Sequence, residues 1–234
     1  MNARTLRDAR KQAHWSQAHL ARALGVSQAY LSMMETEKRR VPGRVARKVV
    51  RLFRLPATVL PLPPPEAVDR MSTNANVEAG LARLGYPGFA YKRKPGQTWN
   101  PAALLLAALN GRVLDSRLAE ALPWLLLRFE EWDVHTLVAE AKSRDLQNRL
   151  GFTVALAREV AERSPSHGHR THELRRLEEM LDRSRLAREE TFGRTETSER
   201  MRAWVRESRS DAAKHWNLLT DLKSEDLPYA SQHP

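Results

Sequence analysis

The chain has 234 residues, 29% of them charged and 41% hydrophobic, enough apolar material for one large domain or two ordinary ones. It contains no cysteine, which excludes disulfides, thiolate nucleophiles, zinc fingers and iron–sulfur clusters. The net charge is +11, and it is uneven: residues 1–65 carry 13 basic and 3 acidic side chains, whereas residues 66–234 carry 26 and 25. A basic module therefore precedes a charge-balanced one, and a basic module attracts phosphate.

The first residues, MNARTLRDARKQ, are charged and lack the apolar run of a signal peptide. The longest apolar stretch, Ala102 to Leu109, is far shorter than the ~20 residues of a membrane span. No membrane partner is expected, and a bacterial or phage cytoplasm is the expected location.

In chain order, residues 4–55 read as a compact helical unit. Leu6, Ala9 and Ala13 have helical spacing. Ser16 is placed to cap a helix over Gln17 to Leu24, and Gly25 suits the left-handed position that ends it. Ser27 is placed to cap a helix over Gln28 to Glu35. Pro42 suits the start of a fourth helix carrying Val45, Val49, Leu52 and Phe53. Pro56 and the run Pro61-Leu62-Pro63-Pro64-Pro65 stop helices, because proline lacks an N–H and restricts the residue before it. Residues 57–75 read as a semi-rigid linker, with an ordered proline-rich loop as the alternative.

The second region, 76–225, also reads as helical. Asn76 precedes a helix over Val77 to Leu84, closed by Gly85. Residues 86–99 read as a loop or a short hairpin. Asn100-Pro101 reads as cap and first turn of an apolar helix ending at Asn110-Gly111. Asp115 suits the cap of a helix stopped at Leu122-Pro123, with Trp124 to Phe129 following. Asp133 suits the cap of a long segment to about Arg163, with a break near Ser143. Its apolar residues lie on more than one face, as in a central helix. Thr171 to about Phe192 reads as a charged helix with a stripe of Leu174, Leu177 and Leu181. After Gly193 comes helical sequence with Met201, Trp204, Val205, Trp216 and Leu219. The tail, 226–234, is expected to be mobile. The expected class is all-α.

Residues 4–56 resemble the helix-turn-helix domain of the Cro/repressor (XRE) family. The residues that carry the resemblance are Leu6 and Arg10, then Ser16-Gln17-x-x-Leu20-Ala21, then Gly25-Val26-Ser27-Gln28-x-x-Leu31-Ser32-x-x-Glu35. The resemblance implies a domain of residues 1–56 that binds double-stranded DNA, most often as a homodimer on two half-sites. It implies that Gln17 and Ser27 meet phosphate. It also implies that Arg10 and Glu35 form a structural ion pair tying the first helix to the third.

The residues agree with it independently. At about 100° per residue, Gln28, Ala29, Ser32 and Met33 share one face of the third helix, while Tyr30, Leu31 and Met34 share the other. The apolar face must pack inward, so the first group points away, towards a major groove. A glutamine at Gln28 has the two-pronged pattern that fits adenine N6 and N7, while Ala29 and Met33 offer apolar contact to a thymine methyl. Lys38, Arg39, Arg40 and Arg44 flank this helix and suit phosphate contacts.

Other constellations carry less. His167-Gly168-His169-x-x-His172 could hold a metal, but no cysteine or placed carboxylate completes a site, so solvated loop histidines are expected and no metal. Glu130-Glu131-x-Asp133 is better explained by a helix cap. No nucleophile elbow and no glycine-rich phosphate loop occurs. No catalytic residue and no cofactor is therefore expected. The segment LPWLLLRFEEWDVHTLVAEAKSRDLQNRLGFTVALAREVAER resembles the C-terminal part of helix-turn-helix regulators encoded beside nucleotidyltransferase-type toxins of abortive-infection systems. The sequence reading is of a transcriptional repressor whose later region dimerises or binds a partner, the helices past Thr171 being the favoured contact surface. Two alternatives stand beside it: an antitoxin that neutralises a toxin protein through its C-terminal helices and represses its own operon, and a regulator gated by a small ligand.

Overall fold

Polar caps decide where the helices of the basic module begin. In the computed structural model, which describes residues 1–111, 114–192 and 198–230, the first four helices are α1 (Ala3–Gln12), α2 (Gln17–Leu24), α3 (Gln28–Glu35) and α4 (Gly43–Phe53). The side chains of Asn2, Ser16 and Ser27 accept from the N–H groups of Thr5, His19 and Tyr30, satisfying one orphan donor at each helix start. Gly25 ends α2 at φ 70°, where a Cβ would be strained. Lys48 of α4 then donates to the carbonyl of Leu24 at 2.7 Å. Leu6, Leu20, Leu24, Leu31, Met34 and Val49 fill the space between these helices. Trp15 stacks on His19 with ring centroids 4.1 Å apart and meets the edge of Phe53 at 5.3 Å, closing one end of this core.

This first unit comprises Met1–Leu62 together with Gln97–Asn100. The later segment is fixed by Asn100, whose side-chain amide donates to the carbonyls of Thr58 at 3.0 Å and Leu60 at 2.6 Å. The stretch 57–75 differs from a simple linker. Ala57–Val59 forms a 3-10 turn, with Ala57 and Leu60 buried, and Pro65–Met71 forms α5. Proline costs nothing at the first position of a helix, because that N–H has no intrahelical partner in any case. Burial of Val68 and Met71 then holds α5 in the second unit, so the boundary falls between Leu62 and Pro63.

The second unit continues with α6 (Asn74–Leu84), α7 (Pro101–Asn110), α8 (Ser116–Arg128), α9 (Val134–Lys142), α10 (Gln147–Arg163), α11 (Thr171–Asp182), α12 (Glu199–Ser208) and α13 (Asp211–His215). α10 is its axis and packs against α8, α9, α11 and α13. Its Leu150, Phe152, Val154 and Leu156 are all buried, which is why its apolar residues spread over several faces. α7 is likewise buried from Pro101 through Leu109. A single parallel pair, β1 (Glu190–Thr191) with β2 (Leu218–Leu219), is the only sheet among the described residues.

Several boundaries differ from the sequence reading. α8 runs through Pro123 to Arg128. The proline forfeits one backbone bond, but Leu118, Leu122, Leu125 and Leu126 are fully buried around it, and packing outweighs a penalty of ~3 kcal/mol. Residues 86–99 contain the 3-10 segment Pro87–Lys92 and no hairpin. α11 stops at Asp182, well short of Phe192. Further on, the buried Asn148 amide hydrogen-bonds both the N–H and the carbonyl of Leu186, each at 2.9 Å, and so claims backbone groups that a longer helix would have used. Gly193 lies outside the described residues, and the helical sequence after it divides into α12 and α13. The tail is anchored as far as it is described: Leu227 is buried, and the Tyr229 hydroxyl donates to the Glu120 carbonyl at 2.8 Å. Residues 231–234 lie outside the described part.

The Leu174, Leu177 and Leu181 stripe packs on α10 within its own unit and leaves no exposed seam for a second subunit. The stripe is therefore withdrawn as the seam of that expected contact surface; the exposed large apolar residues past Thr171 are Met201 and Trp204 of α12. A narrow apolar stripe with charged flanks is equally what a helix laid over a larger core requires. No helix among the described residues is long and apolar enough to cross a membrane.

Gly151 marks the tightest approach on α10, since a Cβ there would lie 2.4 Å from the ring of the fully buried Trp216. Gly151→Ala must push that ring aside, and overpacking of this kind costs about 1–3 kcal/mol. We expect a lower urea midpoint for the far-UV signal of Gly151→Ala, whereas Gly85→Ala, which meets nothing within 4 Å, is limited to the strain of its φ of 98°.

Candidate nucleic-acid interface

The position of α3 rests on one carboxylate. Glu35 is buried at its C-terminal end and receives two hydrogen bonds from Arg10 of α1, Nε to Oε1 at 2.7 Å and Nη2 to Oε2 at 2.9 Å. Gln17, the first residue of α2, adds a third from its Nε2 at 2.9 Å. Arg10 also donates to the carbonyl of Trp15 at 2.9 Å, which holds the turn between α1 and α2. One carboxylate therefore ties α1, α2 and α3 together. Burial is the largest influence on Glu35 and opposes its ionisation. The hydrogen bonds from Arg10 and Gln17 and the nearby positive charge together outweigh it and hold the carboxyl below its ordinary range.

With α3 fixed in this way, Leu31 and Met34 are inside. Gln28 and Ala29 are exposed at the N-terminal end, and Ser32 and Met33 are half-exposed one turn on. These four residues share the outward face. α2 and α3 are joined through Gly25 and Val26, whose N–H bonds to the Ala21 carbonyl at 3.0 Å. After α3 the chain turns sharply: the Thr36 hydroxyl bonds to the Ser32 carbonyl at 2.8 Å, and Arg39 N–H bonds to the Met33 carbonyl at 3.0 Å. That turn presents Lys38, Arg39 and Arg40, and Val41 is buried behind them. Arg44 is exposed in the first turn of α4. Pro42 gives that helix no side-chain cap, so its first N–H groups stay free for water or an anion. None of these four basic residues has a charged partner among the described residues, so their field is uncompensated.

Two residues expected at phosphate have structural duties. Ser27 oxygen caps α3, which leaves its hydroxyl hydrogen to donate. Gln17 spends one of its two amide hydrogens on Glu35 and keeps the second. Both sit at helix starts, where backbone N–H groups favour anions. Lys48, one of the basic residues of this module, is committed to the end of α2. Its spacing alone did not reveal that role.

The histidine segment is arranged differently from a metal site. His169 Nε2 lies 3.2 Å from Glu130 Oε1, and burial lowers the pKa of His167. Among the described residues no three histidine, cysteine or carboxylate side chains are grouped to hold a metal ion. Asp133 accepts from the N–H and the hydroxyl of Thr136 and is the cap of α9.

A family model described as helix-turn-helix matches residues 6–60. No curated protein and no solved structure matches the chain. The matched segment runs from within α1 to just beyond α4 and so takes in the four-helix unit described above. The N-terminal unit is a helix-turn-helix DNA-binding domain of the Cro/repressor type.

Glu35→Gln leaves Arg10 as a half-stranded charge and weakens the hold on α3. We expect it to cost about 3 kcal/mol, the low end for breaking a buried pair because Arg10 keeps some solvent. The same pair sets an acid limit. A carboxylate whose folded pKa is depressed stabilises fully above its unfolded value, here 4.5, and the contribution is lost as pH falls through the lower folded value. Urea midpoints for the wild type should therefore drop below about pH 4.5, and the part of that drop due to this pair should be absent in Glu35→Gln.

Proposed function

We propose that the protein is a sequence-specific transcriptional repressor that binds its operator as a homodimer, with α3 in the major groove. The observation that carries the reading is the pairing of an exposed Gln28–Ala29–Ser32–Met33 face with four uncompensated cations, Lys38, Arg39, Arg40 and Arg44, at its edge. Gln28 stands where base contacts concentrate and reads adenine. Ala29 and Met33 favour a thymine methyl, and Ser32 bonds to either kind of edge. The cations, with Gln17, Ser27 and the N-terminus of α4, grip phosphates on either side. The homodimer follows from the small footprint of a single helix-turn-helix and from the two half-sites such domains use. The reading is of a binding protein, not an enzyme.

Selection of operator sequences by the full chain, followed by binding at several salt concentrations, tests the reading. Affinity should fall steeply with salt, by release of one counterion for each neutralised phosphate. Gln28→Ala should cost roughly 1–3 kcal/mol on the selected site and relax preference at one base pair. Arg40→Ala should weaken all sequences alike and reduce the salt slope by about one. Equal loss on selected and random DNA for both variants would remove Gln28 as a reader. Sedimentation of the protein with one selected duplex should give two chains per site, and a single chain per site would overturn the homodimer.

A further inference from the structure

α12 is held to its unit along one side only. Val205 is its single buried residue, and Arg206, with Arg209 just beyond the helix, pairs with Glu189. At about 100° per residue, Arg202, Val205 and Arg206 lie within one third of its circumference. The opposite third carries Arg200, Ala203, Trp204 and Glu207. All four are exposed, Trp204 to 51%. Met201 and Ser208 flank this face on one side and Glu199 on the other. Tryptophan is enriched where one protein surface meets another.

The charges of this face run the wrong way for the helix itself. A helix N-terminus favours an acid and a C-terminus a base, and Glu199 and Arg206 obey that rule. On the outward face Arg200 stands in the first turn and Glu207 in the last, against the dipole. Neither has a charged partner among the described residues.

An antiparallel copy of the same helix answers both. With a two-fold axis passing between Ala203 and Trp204, each Arg200 lies opposite Glu207 of the second copy. Each charge then sits at the end of the facing helix that favours it. The two Trp204 rings meet beside the axis, and the small Ala203 lets the backbones come close. A patch that complements itself across a two-fold is what an isologous dimer requires. We propose that the outward face of α12 docks a second copy of this chain, antiparallel, through Trp204 and two Arg200–Glu207 pairs. The inference rests on the homodimer reading and names its surface. Two ten-residue helices cover less than the ~1,200 Å² of a standard interface, so the contact is a micromolar one, which adjoining half-sites on DNA would strengthen.

The test uses the full chain without DNA, followed by sedimentation velocity up to about 500 μM. The wild type should pass from monomer to dimer within this range. Trp204→Ala should weaken association at least about tenfold, as loss of a central aromatic anchor does. Arg200→Glu and Glu207→Arg should each do the same, by placing like charges opposite one another. An equimolar mixture of these two variants should associate again, because both pairs of the mixed dimer then join opposite charges. A merely structural role for either residue would not recover in the mixture. All three side chains are exposed, so far-UV spectra should be retained, and Trp204→Ala decides the matter should a charge variant fail to fold. A wild type that stays monomeric, variants that associate as the wild type does, or a mixture that stays monomeric would each overturn the proposal. A dimer insensitive to the variants, or two chains on one duplex from a protein monomeric without it, removes this face and leaves the homodimer standing. One chain throughout removes both.

Discussion

Helix ends buried inside a protein leave carbonyl oxygens that must find donors, and here long basic side chains supply them. Lys48 reaches the Leu24 carbonyl at the end of α2. Arg149 reaches the carbonyls of Leu109, at 2.7 Å, and Gly111, at the end of α7, and pairs with Glu190 on β1. Arg170 does the same at the end of α8, and Arg10 closes the turn after α1. In each case one side chain ends one helix and joins it to another element. A chain with so many short helices depends on such clasps, because a short helix draws its stability mostly from its surroundings.

The same residue type therefore serves two ends in the basic module. Arg10 turns to the buried Glu35 carboxylate and Lys48, itself exposed, to the Leu24 carbonyl, and both contribute architecture. Lys38, Arg39, Arg40 and Arg44 have no such partner among the described residues and contribute a field. The clasp at Glu35 fixes the angle of α3 against α1 and α2, and with it the direction in which Gln28 points. On the proposed reading, electrostatic attraction and base reading are separated in space: the flanking cations would hold any duplex, and the uncharged face of α3 would discriminate.

The second unit follows a different plan. Its core is dense with leucine and alanine, and two of the polar groups that enter it serve backbone, Asn148 at Leu186 and Arg170 at Phe129. Trp216 lies on Gly151 because the glycine leaves room for a ring. Exposed large apolar groups there include Met201 and Trp204 on α12, while the leucine stripe of α11 is spent internally.

Much of the first unit was legible in the sequence, for reasons that are local. Serine before an apolar period, glycine after it and a proline before the next helix fix boundaries within a few residues, so α2 and α3 begin and end where their caps say. The outward face of α3 follows from its period alone. The Arg10–Glu35 pair came through the family resemblance, since two residues that far apart in sequence carry no local sign of contact. What only the tertiary structure decided depends on distant partners. Pro123 is tolerated because leucines around it are buried, α11 stops where it does while Asn148 claims the backbone at Leu186, and Leu174, Leu177 and Leu181 face inward because α10 lies beneath them. Gln17 turned out to serve Glu35 as well as the solvent side. A helical period states which residues share a face and cannot state what covers it, because burial is a property of neighbours brought together by folding, and sequence separation hides them.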